Sequence, residues 1–264
     1  MIRVGLLIVV IAAVAALFGP LLTPYDPASQ ELARRLEGPS LSHPLGLDEL
    51  GRDILARLLA GTRISLLVGL AVVSMSSVVG MLMGSMAGYF GGRVDDVISR
   101  VIDVLMAFPG ILLAIALVAV LGPSLTNVVL ALSVIGWVGY ARLVRGQALR
   151  ARELDFVQAA RALGAGSGRI ILKHILPTAM PSIVVQATLG MAGAIIAEAA
   201  LSFLGLGVQP PTPSWGTMLD AGRSHLFDAP HLTIFPGLAI ALLVLGLNFV
   251  GDGLRDRVDP KLAK

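Results

Sequence analysis

The sequence predicts an all-α integral membrane protein with six transmembrane helices, and three observations predict it. Charged residues make up 14% of the 264 residues and apolar ones 56%, against roughly 25% charged in soluble domains. The apolar residues are gathered into runs long enough to cross a bilayer. Lys and Arg sort between alternate connections, as a multi-pass topology requires. The net charge of +3 belongs to that sorting rather than to a nucleic-acid surface. Cysteine is absent, which excludes disulfides, thiolate catalysis and Cys-ligated metals.

Val4 to Leu22 is an apolar run of 19 residues, about 28 Å long as a helix. Arg3 and Ala13-Val14-Ala15 imitate a cleavable signal peptide. The run continues past Ala15 to Leu22, longer than most signal cores, and this favours a retained anchor. Thr23 to Arg63 is a polar connection with Pro24, Pro27, Pro39 and Pro44. Its second half reads as a turn and a helix lying at the membrane surface. Asp48 is the expected N-cap, and Leu50, Ile54, Leu55, Leu58 and Leu59 share one face. Residues 1–63 are therefore read as an anchor plus an extracytoplasmic segment, and 64–264 as a five-helix core.

The second span is Ser65 to Phe90. Gly80, Gly84, Gly88 and Gly92 recur every fourth residue, a face that admits a close neighbour from this chain or from a partner. The third lies within Arg93 to Gly122, with a kink expected at Pro109-Gly110. Gly122-Pro123-Ser124 turns into the fourth, Leu125 to Val144, which runs on toward Arg152 without a breaker. The fifth is Ser182 to Leu206 and the sixth Leu232 to Val250.

Six spans put both termini on one side. Arg34, Arg35, Arg52, Arg57, Arg63 and Arg223 lie on the other, leaving 14 of the 20 Lys and Arg with the termini. The positive-inside rule then makes the termini and the connection after the fourth span cytoplasmic.

That connection, 153–181, is the longest polar interruption after the N-terminal third. It reads as two short helices: Asp155 capping the first with Gln158 at N3, Ser167 capping the second, and Pro177 ending it. Phe156, Ala159, Ala160 and Leu163 follow at helical spacing, with Gly164 and Gly166 at the stop; Ile170, Ile171 and Ile175 form the apolar side of the second helix. Insertion into a partner's groove and a hairpin folded on the chain's own helix ends are both compatible with this pattern.

QAARALGAGSGRIILKHILPTAMP, from Gln158, resembles the EAA loop of permease subunits in bacterial ABC importers. Ala159, Ala160, Gly164, Leu176 and Pro177 stand at that loop's positions; Gln158 replaces its Glu and His174 an Ile. HPLGLDELGRDILARLLAGTRISL, from His43, and LSFLGLGVQPPTPSWGTMLDAGR, from Leu201, are similar to segments of dipeptide, oligopeptide and nickel importer permeases. Within that group they match the partner with the longer segment after its first span; Leu47 stands where Thr is commoner. The resemblance implies the type I ABC importer permease fold in a bacterial inner membrane. It implies a heterodimer with a second homologous permease, two cytoplasmic ATPase subunits and an extracytoplasmic solute-binding protein. Residues Gln158, Ala159, Ala160, Gly164, His174, Leu176 and Pro177 would then couple the chain to an ATPase. ATP and Mg would sit on those partners, with no cofactor on this chain. The sequence has no GxxxxGK[ST], and its three lysines are outside any glycine-rich loop.

Glu198 is the ionisable residue deep in a span, near Ser202, read either as a pathway or interface contact or as a carboxyl satisfied by a neighbouring helix. Asn248 suits an interhelical hydrogen bond. Pro210, Pro211, Pro213 and Trp215 are read as a rigid rim meeting the binding protein. His43, His174, His225 and His231 have no recognised metal-ligand spacing. A stand-alone secondary transporter would show internal repeats, and an intramembrane hydrolase a Ser–His, paired-Asp or HExxH arrangement within the spans. Neither signature is present.

Overall fold

The computed structural model describes residues 1–258. Ten helices follow in order: α1 (Ile2–Leu22), α2 (Ile54–Phe90), α3 (Gly92–Met106), α4 (Gly110–Leu121), α5 (Leu125–Ala151), α6 (Asp155–Ala162), α7 (Ser167–Ile170), α8 (Leu176–Phe203), α9 (Trp215–Gly222) and α10 (His231–Val258). Among the described residues five rods are long and apolar enough to cross a membrane: α1, α2, α5, the rod from Ser167 to Phe203, and α10. The α3–α4 pair, bent by 86°, makes the sixth. The kink expected at Pro109-Gly110 is thus a full break, because Pro109 is the N-cap of a new helix rather than a residue inside one.

Helix α2 differs most from the sequence reading. No separate surface helix precedes the second span; one 37-residue helix starts at Ile54 and passes through position 63/64, the division drawn from composition, without a break. Asp53, not Asp48, is its N-cap, accepting the Ala56 amide at 2.7 Å. Asp48 instead closes the preceding turn. It accepts the Leu50 and Arg52 amides, each at 2.9 Å, and the Arg52 guanidinium at 2.7 Å. The turn is fixed by an antiparallel bridge between Leu47 and Asp53. Gly51 sits at φ +73°, with the Glu31 backbone directly against it, so only glycine fits there.

The glycine face of α2 meets α5 of the same chain. A methyl on Gly84 would lie 2.9 Å from Val144 Cβ, and one on Gly88 2.6 Å from Ala148 Cβ. Gly80 faces Tyr140 in the same way, so three of the four glycines serve an internal helix pair. Gly92 is not part of that face; at φ +51° it forms the turn into α3. Helix α1 packs on α10 by the same device. Methyl groups on Gly5 and Gly246 would come within 3 Å of Phe249 Cβ and Ile8 Cβ.

These helices leave polar structure at both ends. One end, the cap, joins residues 23–53 to the segment from Leu204 to Pro230 that contains α9. The other, the loop end, holds the connection from Arg152 to Ile175.

Candidate functional site

At the loop end the sequence builds a platform. Val157 is fully buried, joining Ala148, Ala151, Ile170 and Ile175, with Tyr89 packed alongside. Arg161 lies over the Tyr89 ring at 5.4 Å, a cation–π contact. Arg152 donates to the Gly88 carbonyl at 3.2 Å. Three contacts therefore tie the segment to the ends of α2 and α5.

Helix α6 turns its other face outward. Gln158 and Ala159 are exposed and Ala160 half-buried; Phe156 is exposed, and Leu163 is 89% exposed. Helix α6, held by one buried valine, thus leaves an apolar stripe uncovered. The spacing between Ala160 and Gly164 has a physical reason. Gly164 N–H donates to the Arg161 carbonyl and Ala165 N–H to the Ala160 carbonyl, each at 3.0 Å. These are the paired bonds of a Schellman stop. Gly164 takes the left-handed φ of +83° that the stop needs, and a Cβ there would meet no atom within 4 Å. Conformation, not space, selects glycine.

The expected caps are not formed. Asp155 is the first helical residue after the N-cap Leu154, which offers no side-chain bond, so the box with Gln158 is absent. Gly166, not Ser167, is the N-cap of α7. Nor does Pro177 end the second helix. Residues Ile171–Ile175 form a π-helical turn that carries α7 into α8, with Pro177 in the first turn of α8. Its missing N–H falls where the ladder is already altered, since the π turn sends the Leu176 N–H back to the Ile171 carbonyl. The second short helix is therefore the extension of the fifth span. His174 is half-buried, its ring 6.1 Å from that of Phe156. Leu176 is half-buried and Pro177 exposed.

Glu198 lies in α8 at the cap end and is wholly buried. Ser202 donates to its Oε1 at 2.7 Å; Oε2 has no partner among the described residues. Just beyond, Ser214 caps α9 with a reciprocal box to Thr217. Glycine lets α9 approach α8: a methyl on Gly216 would collide with the Ala199 carbonyl and the Ser202 side chain. Asn248 is half-buried on α10, and its side chain makes no hydrogen bond among the described residues. The expected interhelical bond is not found.

Trp215 corrects the rim reading. It is 2% exposed, and its indole N–H donates to the Leu58 carbonyl at 3.0 Å. Its ring lies over Gly61, where a methyl would come within 2.8 Å of Cδ1. A side chain locked into α2 has no face left for a docking protein. Pro213 is buried as well, whereas Pro210 and Pro211 stay exposed.

The cap also uses charges that sequence spacing did not single out. His43 is buried, with Nδ1 2.8 Å from Asp53 and Nε2 3.0 Å from the Arg34 guanidinium. Arginine can only donate, so Nε2 accepts and Nδ1–H donates to Asp53, which assigns the tautomer. Hydrogen bonding from Arg34 also holds the exposed Glu37 carboxyl below its usual range. His225 pairs with Asp228 at 2.9 Å, and His231 Nε2 is 3.4 Å from the Leu47 carbonyl. Among the described residues no group of His, Asp and Glu is arranged to hold a metal.

Residues 80–264 match the family described as binding-protein-dependent transport system inner membrane component. Residues 1–39 match the N-terminal TM domain of oligopeptide transport permease C. The chain is 48% identical to the dipeptide transport system permease protein DppC of Alkalihalophilus pseudofirmus, over 98% of this chain and 85% of that protein. It is also 48% identical to the glutathione transport system permease protein GsiD of Pectobacterium atrosepticum, over 98% and 86%. In fold it is similar to an inward-facing MetNI methionine ABC transporter chain, with a TM-score of 0.61 and 20% identity over 76% of this chain and 96% of that one. With the spans and the loop platform in place, these likenesses agree: the chain is a multi-pass membrane protein of the binding-protein-dependent transport system inner membrane component family, a permease subunit of an ABC importer.

Proposed function

We propose that this permease forms half of a translocation pathway for short peptides in an ATP-driven importer, paired with a second homologous permease. Two ATPase subunits hold ATP and Mg on the cytoplasmic side, and a solute-binding protein delivers solute from outside. The chain lies in a bacterial inner membrane with both termini cytoplasmic. What supports the orientation is the 14-to-6 division of Lys and Arg. What supports short peptides is that relatives matched over nearly the whole chain are named for dipeptide and for glutathione transport.

The observation that carries the coupling role is the exposed apolar stripe of α6, Phe156, Ala159 and Leu163, on a helix anchored by buried Val157. An ATPase cleft seated on that stripe moves α6 when nucleotide closes the ATPase pair. Val157, Arg161 and the π-helical turn pass the movement to α2, α5 and α8. Gln158, Ala159, Ala160 and Gly164 make or shape that contact, while His174 in the π-helical turn and Leu176 and Pro177 at the start of α8 brace it. The spans thereby shift between inward-open and outward-open states.

Affinity purification of the tagged chain from its native membrane tests the assembly. An ATPase pair and a second permease in stoichiometric amounts are the expected result. Reporter fusions after Gly166 test the orientation. A fusion that reports an extracytoplasmic position ends the coupling reading.

A further inference from the structure

The cap end holds a cavity that coupling does not use. It measures about 560 Å³ and lies between residues 49–57, the end of α8 and the start of α9. Arg52, Arg57, Glu49, Asp220, Ser202 and Gln209 are among its lining. Its size suits a small solute, since ligand pockets run from roughly 300 to 1,000 Å³.

Its charges are unusual. Arg52 and Arg57 are 8% and 4% exposed, so both cations are withdrawn from water. They share one carboxylate: Asp48 Oδ2 is 2.7 Å from Arg52 Nε and 3.3 Å from Arg57 Nε. Asp53, another buried acid of the cap, is already used by His43 and by the first turn of α2. Two guanidiniums share one bonded carboxylate; Glu49 attracts Arg57 through space without contacting it, so the pair has no second carboxylate of its own in contact, and a ligand carboxylate can supply one. The guanidinium fork is the group best shaped to take one. Two acids also line the cavity. Glu49 is in no ion pair among the described residues, and Asp220 is bridged only to Arg223, which is itself mostly exposed. Ser202 connects the floor to Glu198.

We propose that this cavity is a receiving site for a short zwitterionic peptide, whose carboxylate binds at Arg52 and Arg57 and whose ammonium faces Glu49 and Asp220. The choice of a peptide rests on the importer reading above; the opposed charges stand without it. The site would hold solute briefly between release from the binding protein and entry among the spans, so weak binding is expected.

The test is equilibrium binding of labelled Ala-Ala to the purified importer complex without its binding protein, beside Ala-Ala-amide and N-acetyl-Ala-Ala. Saturable binding of Ala-Ala below about 10 mM is expected, with each blocked probe weaker by about tenfold, the loss of one charge-assisted contact. The double variant Glu49→Gln, Asp220→Asn should bring Ala-Ala down to the level of N-acetyl-Ala-Ala and leave N-acetyl-Ala-Ala binding unchanged. Neither residue belongs to the buried ion pairs, so folding should survive, and ATP hydrolysis by the complex checks this. No saturable binding to a hydrolysis-competent complex overturns the proposal. So does equal binding of the three probes, or indifference of Ala-Ala to the rim variants. Uptake of Ala-Ala by proteoliposomes with the binding protein tests the importer reading separately. Binding without uptake supports the site and counts against that reading; uptake without binding does the reverse.

Discussion

At the cap, polar and charged groups are drawn inward and bonded to one another, with Arg52 and Arg57 sharing Asp48 and His43 between Arg34 and Asp53. At the loop end the pattern is inverted. Phe156 and Leu163 are exposed, while Arg169 and Lys173 form no ion pair among the described residues. A buried ion network fixes one arrangement of loops and tolerates the loss of a partner poorly. An exposed apolar stripe does little for the chain alone and waits for a surface to cover it. The comparison teaches that one end is closed by its own residues, whereas the other leaves an apolar stripe that the proposed ATPase contact would cover. Loss of side chains at the cap should therefore be felt as stability, and at the loop end as coupling.

The largest effect should come from Asp53→Ala at the cap. It strips the N-cap of α2 and leaves the buried His43 Nδ1–H without its acceptor. The lost cap and the lost buried hydrogen bond to a charged acceptor together cost about 2–4 kcal/mol, so the thermal melt of the purified complex should fall by several degrees. An unchanged melt would break the comparison at once. Leu163→Ser sharpens it from the other side. The residue is 89% exposed, so the melt of the isolated permease pair should barely move, within about 0.5 kcal/mol. If an ATPase covers it, retention of ATPase subunits should weaken by about tenfold, from loss of one buried leucine.

Gly164→Val comes next. A Cβ there has room, so the cost is the left-handed backbone alone, roughly 1–2 kcal/mol and local to the Schellman stop. Nucleotide binding by the complex should stay intact while uptake per ATP hydrolysed falls. A fall in the melt as large as that of Asp53→Ala would mean the loop end is structural after all.

The sequence showed what repeats or accumulates. Apolar runs marked the spans, summed charge oriented them, and the QAARALG pattern located the loop-end platform. It also paired Glu198 with Ser202, which a one-turn spacing allows any reader to see. What it hid depends on contacts between distant residues. Asp48 and Asp53 are equally good N-caps locally; the bridge from Leu47 and the Glu31 backbone against Gly51 decide between them. Trp215 reads as a surface aromatic after three prolines, but its pocket is Gly61 and its acceptor is Leu58, over 150 positions earlier. Phe156 and Val157 are adjacent and both apolar, and only the position of Tyr89 and Ile170 says which is inward. Pro177 reads as a breaker in sequence because composition does not reveal the π-helical turn that carries the helix past it.

The smallest effect is the cleanest, because it puts the same substitution at both ends. Ser214 at the cap and Ser167 at the loop end both stand at the start of a helix, and in sequence each could be an N-cap. In the fold Ser214 accepts the Thr217 amide at 3.3 Å, and Thr217 returns the bond through its hydroxyl, which accepts the Ser214 amide at 3.0 Å. Ser167 makes no capping bond and is already inside its helix. Ser214→Ala should therefore cost about 1 kcal/mol, a shift of the melt by a degree or more. Ser167→Ala should stay within about 0.5 kcal/mol of zero. The control is internal, since the chemistry removed is identical and only the neighbourhood differs. Equal shifts for the two would mean that α7 is capped in the working protein after all. The loop end would then be as self-sufficient as the cap, and the case that it needs a partner subunit would weaken with it.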